Sequence, residues 1–474
     1  MGDPSTRSSA PLDVAGRRLT RRQILGGMAG VAGLAAVPSL IAACSSPASS
    51  APSTGGGGGA SAAPSTGGGA SPAASGGEIT LGSNYSDPLP KGVLQGVVDT
   101  FTKNTGITVK INTVAHGDFQ DQISNYLQGT PEDVFTWFSG YRMRFFAAQG
   151  LATDISDVWA KLDSHYAEAF KVGSTGDDGK QYFVPVYLYP WAVFYRKSVF
   201  SDNGWTPPTD WAGLIDLAKK IKDKGLTPFS FADKDGWPAQ GTFDILNLRI
   251  NGYQFHVDLM AGKQKWTDPK VAAVFEKWKE LLPFYQEGFA GRIWQDASTA
   301  LVQKKTGMYF HGMFLSQQFQ QAGPADLDDL DFFAFPALGT QFDGEKALDA
   351  PIDGFMLSAN SPTKDAHLDA SKAFVEYLGQ PDTQVAWVTG DKSNIAAAKD
   401  ADTSAYTPLQ KKAAEIIGSA QRITQFLDRD TRPDFAGKNG MQSYLLDWLQ
   451  KPDQDMSAFQ GKIQAGWDAL PPLT

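Results

Sequence analysis

The sequence predicts an α/β body of two lobes, and three observations carry the prediction. Short apolar runs, alternating or unbroken, are separated by helical apolar stripes, the order that builds a mainly parallel sheet covered on both faces by helices. This grammar occurs twice, from Glu78 and again from about Thr209, without repetition of the sequence itself. A chain of 474 residues, 42% hydrophobic and 20% charged, is long enough for more than one core at roughly 150 residues per domain.

The first 77 residues stand apart from that body. Arg21 and Arg22 precede a charge-free run rich in Gly and Ala that ends at Ala43, the layout of an export peptide; paired arginines before a weakly apolar run favour the twin-arginine route over general secretion. Ile41, Ala42 and Ala43 then lead into Cys44, the one cysteine of the chain. An aliphatic residue and two small ones before a thiol resemble a lipobox, in which the cysteine is acylated after cleavage. The competing reading, a transmembrane anchor, is weakened by the glycines and alanines of the run. Two acyl chains give a stable anchor where one gives a reversible one. From Ser45 to Gly77 there is no charge and no large apolar residue, so this stretch reads as a flexible tether. Residues 1–43 are thus expected to be the signal and 44–77 the leash.

From Glu78, EITLGS alternates as a strand, and Leu94, Val97, Val98 and Phe101 recur at helical spacing up to Gly106. ITVKINTV is a second strand; Phe119, Ile123 and Tyr126 share a helical face behind Asp118, taken as its cap; DVFTWF is a buried strand. In the second half, Thr209 is expected to cap a helix with Trp211, Leu214, Ile215, Ala218 and Ile221 as its stripe and Gly225 as its stop. TPFSFA reads as a strand, and Asp268 with Pro269 as a helix start. TGMYFHG, DFFAFPAL and APIDGFMLSA read as three more strands, with helices to the end.

Charge and motif content narrow the function. Net charge is −9, and beyond Cys44 37 basic and 49 acidic residues leave −12, a surface that repels phosphate backbones and excludes a nucleic-acid partner. The five histidines are scattered with no metal-ligand spacing, so no metal or cofactor is expected. GSTGDDGKQ lacks the spacing of a phosphate loop and reads as a turn, while the acidic PADLDDLD reads as a solvated loop. No nucleophile elbow is present. What stands out is 12% aromatic residues with twelve tryptophans, many beside polar groups at strand ends and loops. Flat rings rimmed by Asp, Arg and Asn suit a pyranose, which has an apolar C–H face and an edge of hydroxyls. The same rings would also cage a quaternary amine, and a secreted glycoside hydrolase needs only two nearby carboxylates.

The order of motifs resembles the extracellular solute-binding proteins of ABC transporters, in the cluster of maltose and multiple-sugar binders. The resemblance is carried by EDVFTWFSGYRMRFFAAQGLATDI, YPWAVFYRK, PPTDWAGLIDLAKKIKDKGLTPFSF, KDGWPA, FDILNLRINGYQFH, GMYFHGMF, APIDGFMLSAN, SKAFVEYLGQPDTQ and FLDRDTRPD, in that order along the mature chain. It implies a type II periplasmic-binding-protein-like fold. The lobes would comprise residues 78–189 with 353–402, and 190–352 with 403–474, joined by crossing hinge strands. It implies a mono- or oligosaccharide held between them, no catalysis, and delivery to permease subunits by a monomer lipid-anchored outside the membrane or in a periplasm. Carried over by position, Trp137 is a stacking residue, with Tyr141 and Arg142 offering polar contacts. Gly140 stands where maltose binders have a carboxylate, which argues against a maltodextrin. Tyr189 and Trp191 border the first crossing, Asp235 and Trp237 face the cleft, and Phe314 takes the slot of a distal tryptophan. Asp353 and Gly354 open the returning strand; Arg429 and Asp430 complete the expected site.

Overall fold

The computed structural model describes residues 77–472; Cys44, the expected signal and nearly all of the tether lie outside the described residues. Twelve strands are described: β1 (Glu78–Ser83), β2 (Thr108–Thr113), β3 (Val134–Phe138), β4 (Val184–Leu188), β5 (Trp191–Arg196), β6 (Thr227–Phe229), β7 (Thr306–Gly312), β8 (Leu330–Phe333), β9 (Leu348–Asp349), β10 (Ile352–Leu357), β11 (Ile395–Ala396) and β12 (Ile423–Thr424). They form a six-stranded sheet in the order β11-β4-β10-β3-β1-β2, a four-stranded sheet β6-β7-β5-β8, and the pair β12-β9. Each of the two larger sheets is the centre of one lobe.

The sheets are mixed rather than mainly parallel. β1 pairs in parallel with β2 and β3, and β6 with β7, as strand–helix–strand units require. β10 inserts antiparallel between β3 and β4, and β5 runs antiparallel to β7 and β8. The reversal comes from the crossings, because a strand that enters a sheet from the other lobe arrives from the opposite end. Two of the three crossings are two residues long, Tyr189-Pro190 and Ala350-Pro351, and the fixed φ of proline limits how each can bend. The helix Pro408–Ser419 belongs to both lobes. Its Gln410 Nε2 donates to the Val388 and Asn394 carbonyls (2.9 and 2.8 Å) in the first, and its Lys412 Nζ to Asp331 (2.7 Å) in the second.

Helix starts follow local chemistry, with two differences from expectation. Asp210, not Thr209, caps Trp211–Asp223 by accepting from Gly213 N (2.8 Å). His116–Gln128 begins two residues before Asp118, which lies in its first turn and not at its cap. Asp268 does cap the helix that opens on Pro269. The acidic stretch is no free loop: Asp326 and Asp329 both take the buried Arg196 guanidinium (2.7 Å each).

Aromatics fill the two cores. Trp159 and Trp387 are enclosed in the first lobe, and Trp266, Trp278 and Trp448 in the second. Aromatic abundance therefore reflects packing first, and only a minority of the rings reach the cleft.

Candidate functional site

A cavity lies between the lobes beside two of the crossings. The second lobe supplies Trp237, Trp294 and Phe314, with Trp191 at the crossing and Phe426 after β12. The first lobe supplies Asn84, Tyr85, Asp87, His116, Gln120 and Asp353. Trp237 stands edge-on to Trp191 (centroids 6.5 Å, 89°) and tilted to Phe314 (5.9 Å, 50°), and remains partly exposed to the cavity.

The polar groups are held in place and incompletely satisfied. Asn84 follows β1; its backbone N–H and its side-chain oxygen both bond the Thr136 hydroxyl (2.9 and 3.0 Å), which fixes the amide and leaves Nδ2 without a partner. Tyr85 Oη, Asn394 Oδ1 and Asp428 Oδ1 are likewise buried without a hydrogen bond, Asp428 Oδ1 lying 3.8 Å from the Arg429 guanidinium. At the cavity, these four atoms are open to hydrogen bonding by a polar ligand. Arg429 donates to Asp353 (3.3 Å) and to Tyr189 Oη (3.2 Å) and lies 3.9 Å over the Phe138 ring. Burial opposes its charge, but Asp353, Tyr189 and Asp428 outweigh burial and keep the guanidinium protonated. Burial raises the Asp353 carboxyl against the pull of Arg429. His116 is pushed down to about 4 by burial and by Arg429 and Arg142, so near pH 7 it offers a neutral imidazole.

Phe426 has φ of +94°, a conformation that costs a non-glycine residue about 1–3 kcal/mol. Its neighbours enforce it: Asp244 accepts from Leu427 N (2.5 Å) and Asp430 from Gln425 N (2.9 Å). The strain delivers the Phe426 ring flat onto Trp191 (4.8 Å, 25°) and so braces the aromatic wall.

Of the expected site residues, Tyr189, Trp191, Trp237, Phe314, Asp353 and Arg429 line the cavity. The others do not. Trp137 is 0% exposed inside β3, enclosed by Phe119, Phe135, Phe138 and Phe146, with its indole N–H on the Arg142 carbonyl (3.4 Å), and has no face for a ligand. Arg142 lies behind the wall and bonds Gln120 (2.6 Å) and Asp428 (3.3 Å), a positioning role. Tyr141 is outside the cavity, in the field of Arg432, Asp177 and Arg144. Asp235 is at the rim beside Lys438, Asp121 and Asp118, and Asp430 shapes the Phe426 bend. Gly354 is needed for sheet packing, since a Cβ there would lie 2.0 Å from the Val184 carbonyl oxygen. Sequence reasoning missed Asn84, Tyr85, Asp87, His116, Gln120, Trp294, Gln317, Phe426 and Asp428. The first three, in SNYSD, sit just past the carboxyl end of a parallel strand, where open α/β sheets bind ligands.

Bonds between the lobes close the cavity: Gln295 to Asp87 (3.0 Å), Gln317 to Asp391 (3.0 Å), Gln320 to the Gly390 carbonyl (2.7 Å), and a Lys438–Asp121 ion pair at the rim. Among the described residues no group of three or more His, Cys, Asp or Glu could hold a metal ion, and no helix is long and apolar enough to cross a membrane.

Two lobes hinged at short crossings, with a ligand cavity between them whose halves come from different lobes, define a solute receptor of the periplasmic-binding class. The family model for bacterial extracellular solute-binding proteins matches residues 87–385, and the chain belongs to that family. It is similar to the bacterial solute receptor AcbH, described as having an exclusive preference for β-D-galactopyranose. Identity is 44%, the TM-score is 0.78, and the match covers 83% of this chain and 98% of that one. It is 25% identical to a multiple sugar-binding protein of Streptococcus mutans over 319 residues, 65% of this chain and 70% of the relative. A chitin oligosaccharide binding protein shares the fold at 22% identity and TM-score 0.72, covering 82% of this chain and 98% of the other. The chain is therefore a solute-binding receptor of that family and not an enzyme.

Proposed function

We propose that the cleft binds one hexopyranose, β-D-galactopyranose being the first candidate, and that the protein delivers it unchanged to an ABC permease from a lipid anchor on Cys44, as a monomer outside the membrane. The observation that carries the sugar reading is a cavity between the lobes walled by flat rings and by four buried polar atoms without a hydrogen bond, Asn84 Nδ2, Tyr85 Oη, Asn394 Oδ1 and Asp428 Oδ1. The 44% identity to a galactopyranose receptor supports the particular sugar. The cavity has a volume of about 90 Å³, which suits a single sugar ring better than a trisaccharide. A quaternary amine fits poorly, because Arg429 sits in the wall at full charge.

Thermal shift with galactose, glucose, raffinose and betaine tests the reading. A ligand at a hundredfold its Kd adds about 2.7 kcal/mol of stability. Stabilisation by a hexose is expected; stabilisation by raffinose or betaine with none by any hexose refutes it. Radiolabelled palmitate on Cys44 in cells, lost in Cys44→Ala, tests the anchor.

A further inference from the structure

Behind Trp191, away from the sugar cleft, lies a second cavity of about 250 Å³. Trp191 is a wall of both cavities. The second one sits at the back of the hinge, bounded by Ile245 and Arg249 of the helix Pro238–Asn251, by the segment from Ala334 to Leu348, and by Ile416 of the helix shared between the lobes.

Arg249 makes this cavity unusual. Five arginines in the described residues are buried: Arg142, Arg196, Arg249, Arg429 and Arg432. Four pair with a carboxylate, namely Asp428, Asp326 with Asp329, Asp353 and Asp434. Arg249, 6% exposed, has no carboxylate within ion-pair distance among the described residues. Its one hydrogen bond goes from Nη1 to the Ala347 carbonyl (2.5 Å), so the rest of the guanidinium fork has no protein partner. Three acids act on its charge from beyond ion-pair distance, Asp343 in the cavity wall, Glu345 and the buried Asp349, which accepts from the Thr424 hydroxyl. Asp343 accepts from Leu338 N (3.0 Å) and Thr340 N (2.8 Å), and Glu345 from Tyr253 N (2.9 Å). Lys346, exposed at the mouth, forms no ion pair among the described residues and adds a second positive charge.

Buried charges are ordinarily paired, because an unpaired one forfeits its hydration, and a planar fork with free N–H groups matches a carboxylate. Trp191, Phe335, Leu348 and Ile416 supply apolar surface around it. We propose that this cavity is a second ligand site, for a small organic carboxylate whose anionic head pairs with Arg249 and whose apolar body packs against Trp191 and Phe335.

The test uses the full chain and calorimetry with benzoate as probe, benzyl alcohol as its neutral counterpart and inorganic phosphate as a bare anion. Saturable benzoate binding is expected, with benzyl alcohol and phosphate each at least tenfold weaker. Arg249→Met should weaken benzoate at least tenfold. Ala334→Trp, at an exposed position on the rim, should abolish benzoate binding and leave hexose affinity within twofold, and it keeps the test intact should Arg249→Met fail to fold. Absence of saturation, unchanged benzoate binding in Ala334→Trp, one-for-one competition between benzoate and galactose, or phosphate binding as tightly as benzoate would each overturn the proposal.

Discussion

Trp237→Ala is the sharpest probe of the aromatic wall. The indole is partly exposed and lies on the loop before Pro238, so its loss disturbs little of the core. Its neighbours Trp191, Phe314 and Phe426 meet it edge-on or tilted at 5.9–6.5 Å, and none lies flat on it. A pyranose C–H face laid on that plane removes about 60 Å² of apolar surface from water, worth about 1.5 kcal/mol at 25 cal/mol per Å². The geometry-specific attraction of a ring face adds about 0.5–1.5 kcal/mol. Together these amount to about 2–3 kcal/mol, a rise in hexose Kd of roughly 30- to 150-fold. Titration calorimetry at pH 7 with galactose reads it directly, and a thermal melt confirms that the variant folds. A rise of less than threefold in a folded variant refutes the assignment of this ring to stacking.

Trp137→Ala should behave in the opposite way: unfolding by urea should show a loss of about 3–5 kcal/mol for a fully buried ring, while the hexose Kd of the folded fraction stays within twofold. Lys438→Met removes the rim ion pair, whose lysine side chain is 59% exposed. The effect should be confined to a less than fivefold faster hexose release in stopped-flow and should vanish in 1 M salt, as expected for an exposed pair. Burial holds the His311 imidazole down at about 3, although the Gly312 carbonyl opposes it. The unfolded chain binds that proton near 6.5. Protonation therefore favours unfolding, and stability is lost as pH falls from about 6.5 towards 3, at up to about 1.4 kcal/mol per pH unit. Urea unfolding of the parent and of His311→Gln between pH 7 and 5 should give a shallower decline for the variant; equal slopes would refute the assignment.

What the sequence disclosed depended on whether burial left a local trace. Strand and helix positions were legible because apolar spacing is itself the consequence of one face being covered. Sheet direction was not, since the antiparallel entry of β10 and β5 is set by crossings that join segments far apart in the chain. Trp137 was misread for a related reason. All five residues of β3 are buried, so a strand covered on both faces has no alternation to separate a core ring from a cleft ring. Trp237 was legible because Gly236 and Pro238 place it on a turn at a helix start. Asn84 and Tyr85 were missed because small polar residues after a strand look like any loop; only the parallel pairing of β1 with β2 and β3 gives that loop its position. Gly354 carried a signal of constraint, but the constraint is the Val184 carbonyl across the sheet.

The division of the site between lobes explains how binding can be reported to a permease. Each half brings contacts the other lacks: the second lobe Trp237, Trp294, Phe314 and Phe426 with Gln317, Asp428 and Arg429, the first Asn84, Asp87, Gln120 and Asp353 beside Tyr85 and Tyr187. A sugar resting on one half gains the other only when the cleft shuts, so its affinity for the closed form exceeds that for the open form by whatever the second wall contributes. The bonds from Gln295 to Asp87 and from Gln317 to Asp391 form under the same condition, and each is worth about 0.5–1.5 kcal/mol. With the Gln320–Gly390 bond and the Lys438–Asp121 ion pair, they help to hold the closed form once a ring has stacked. If the sugar contributes about 3 kcal/mol from the second wall, the closed-to-open ratio rises by roughly 150-fold. The outer faces of both lobes are thereby brought into register chiefly when cargo is present, which lets the transporter distinguish a loaded receptor from an empty one without touching the sugar.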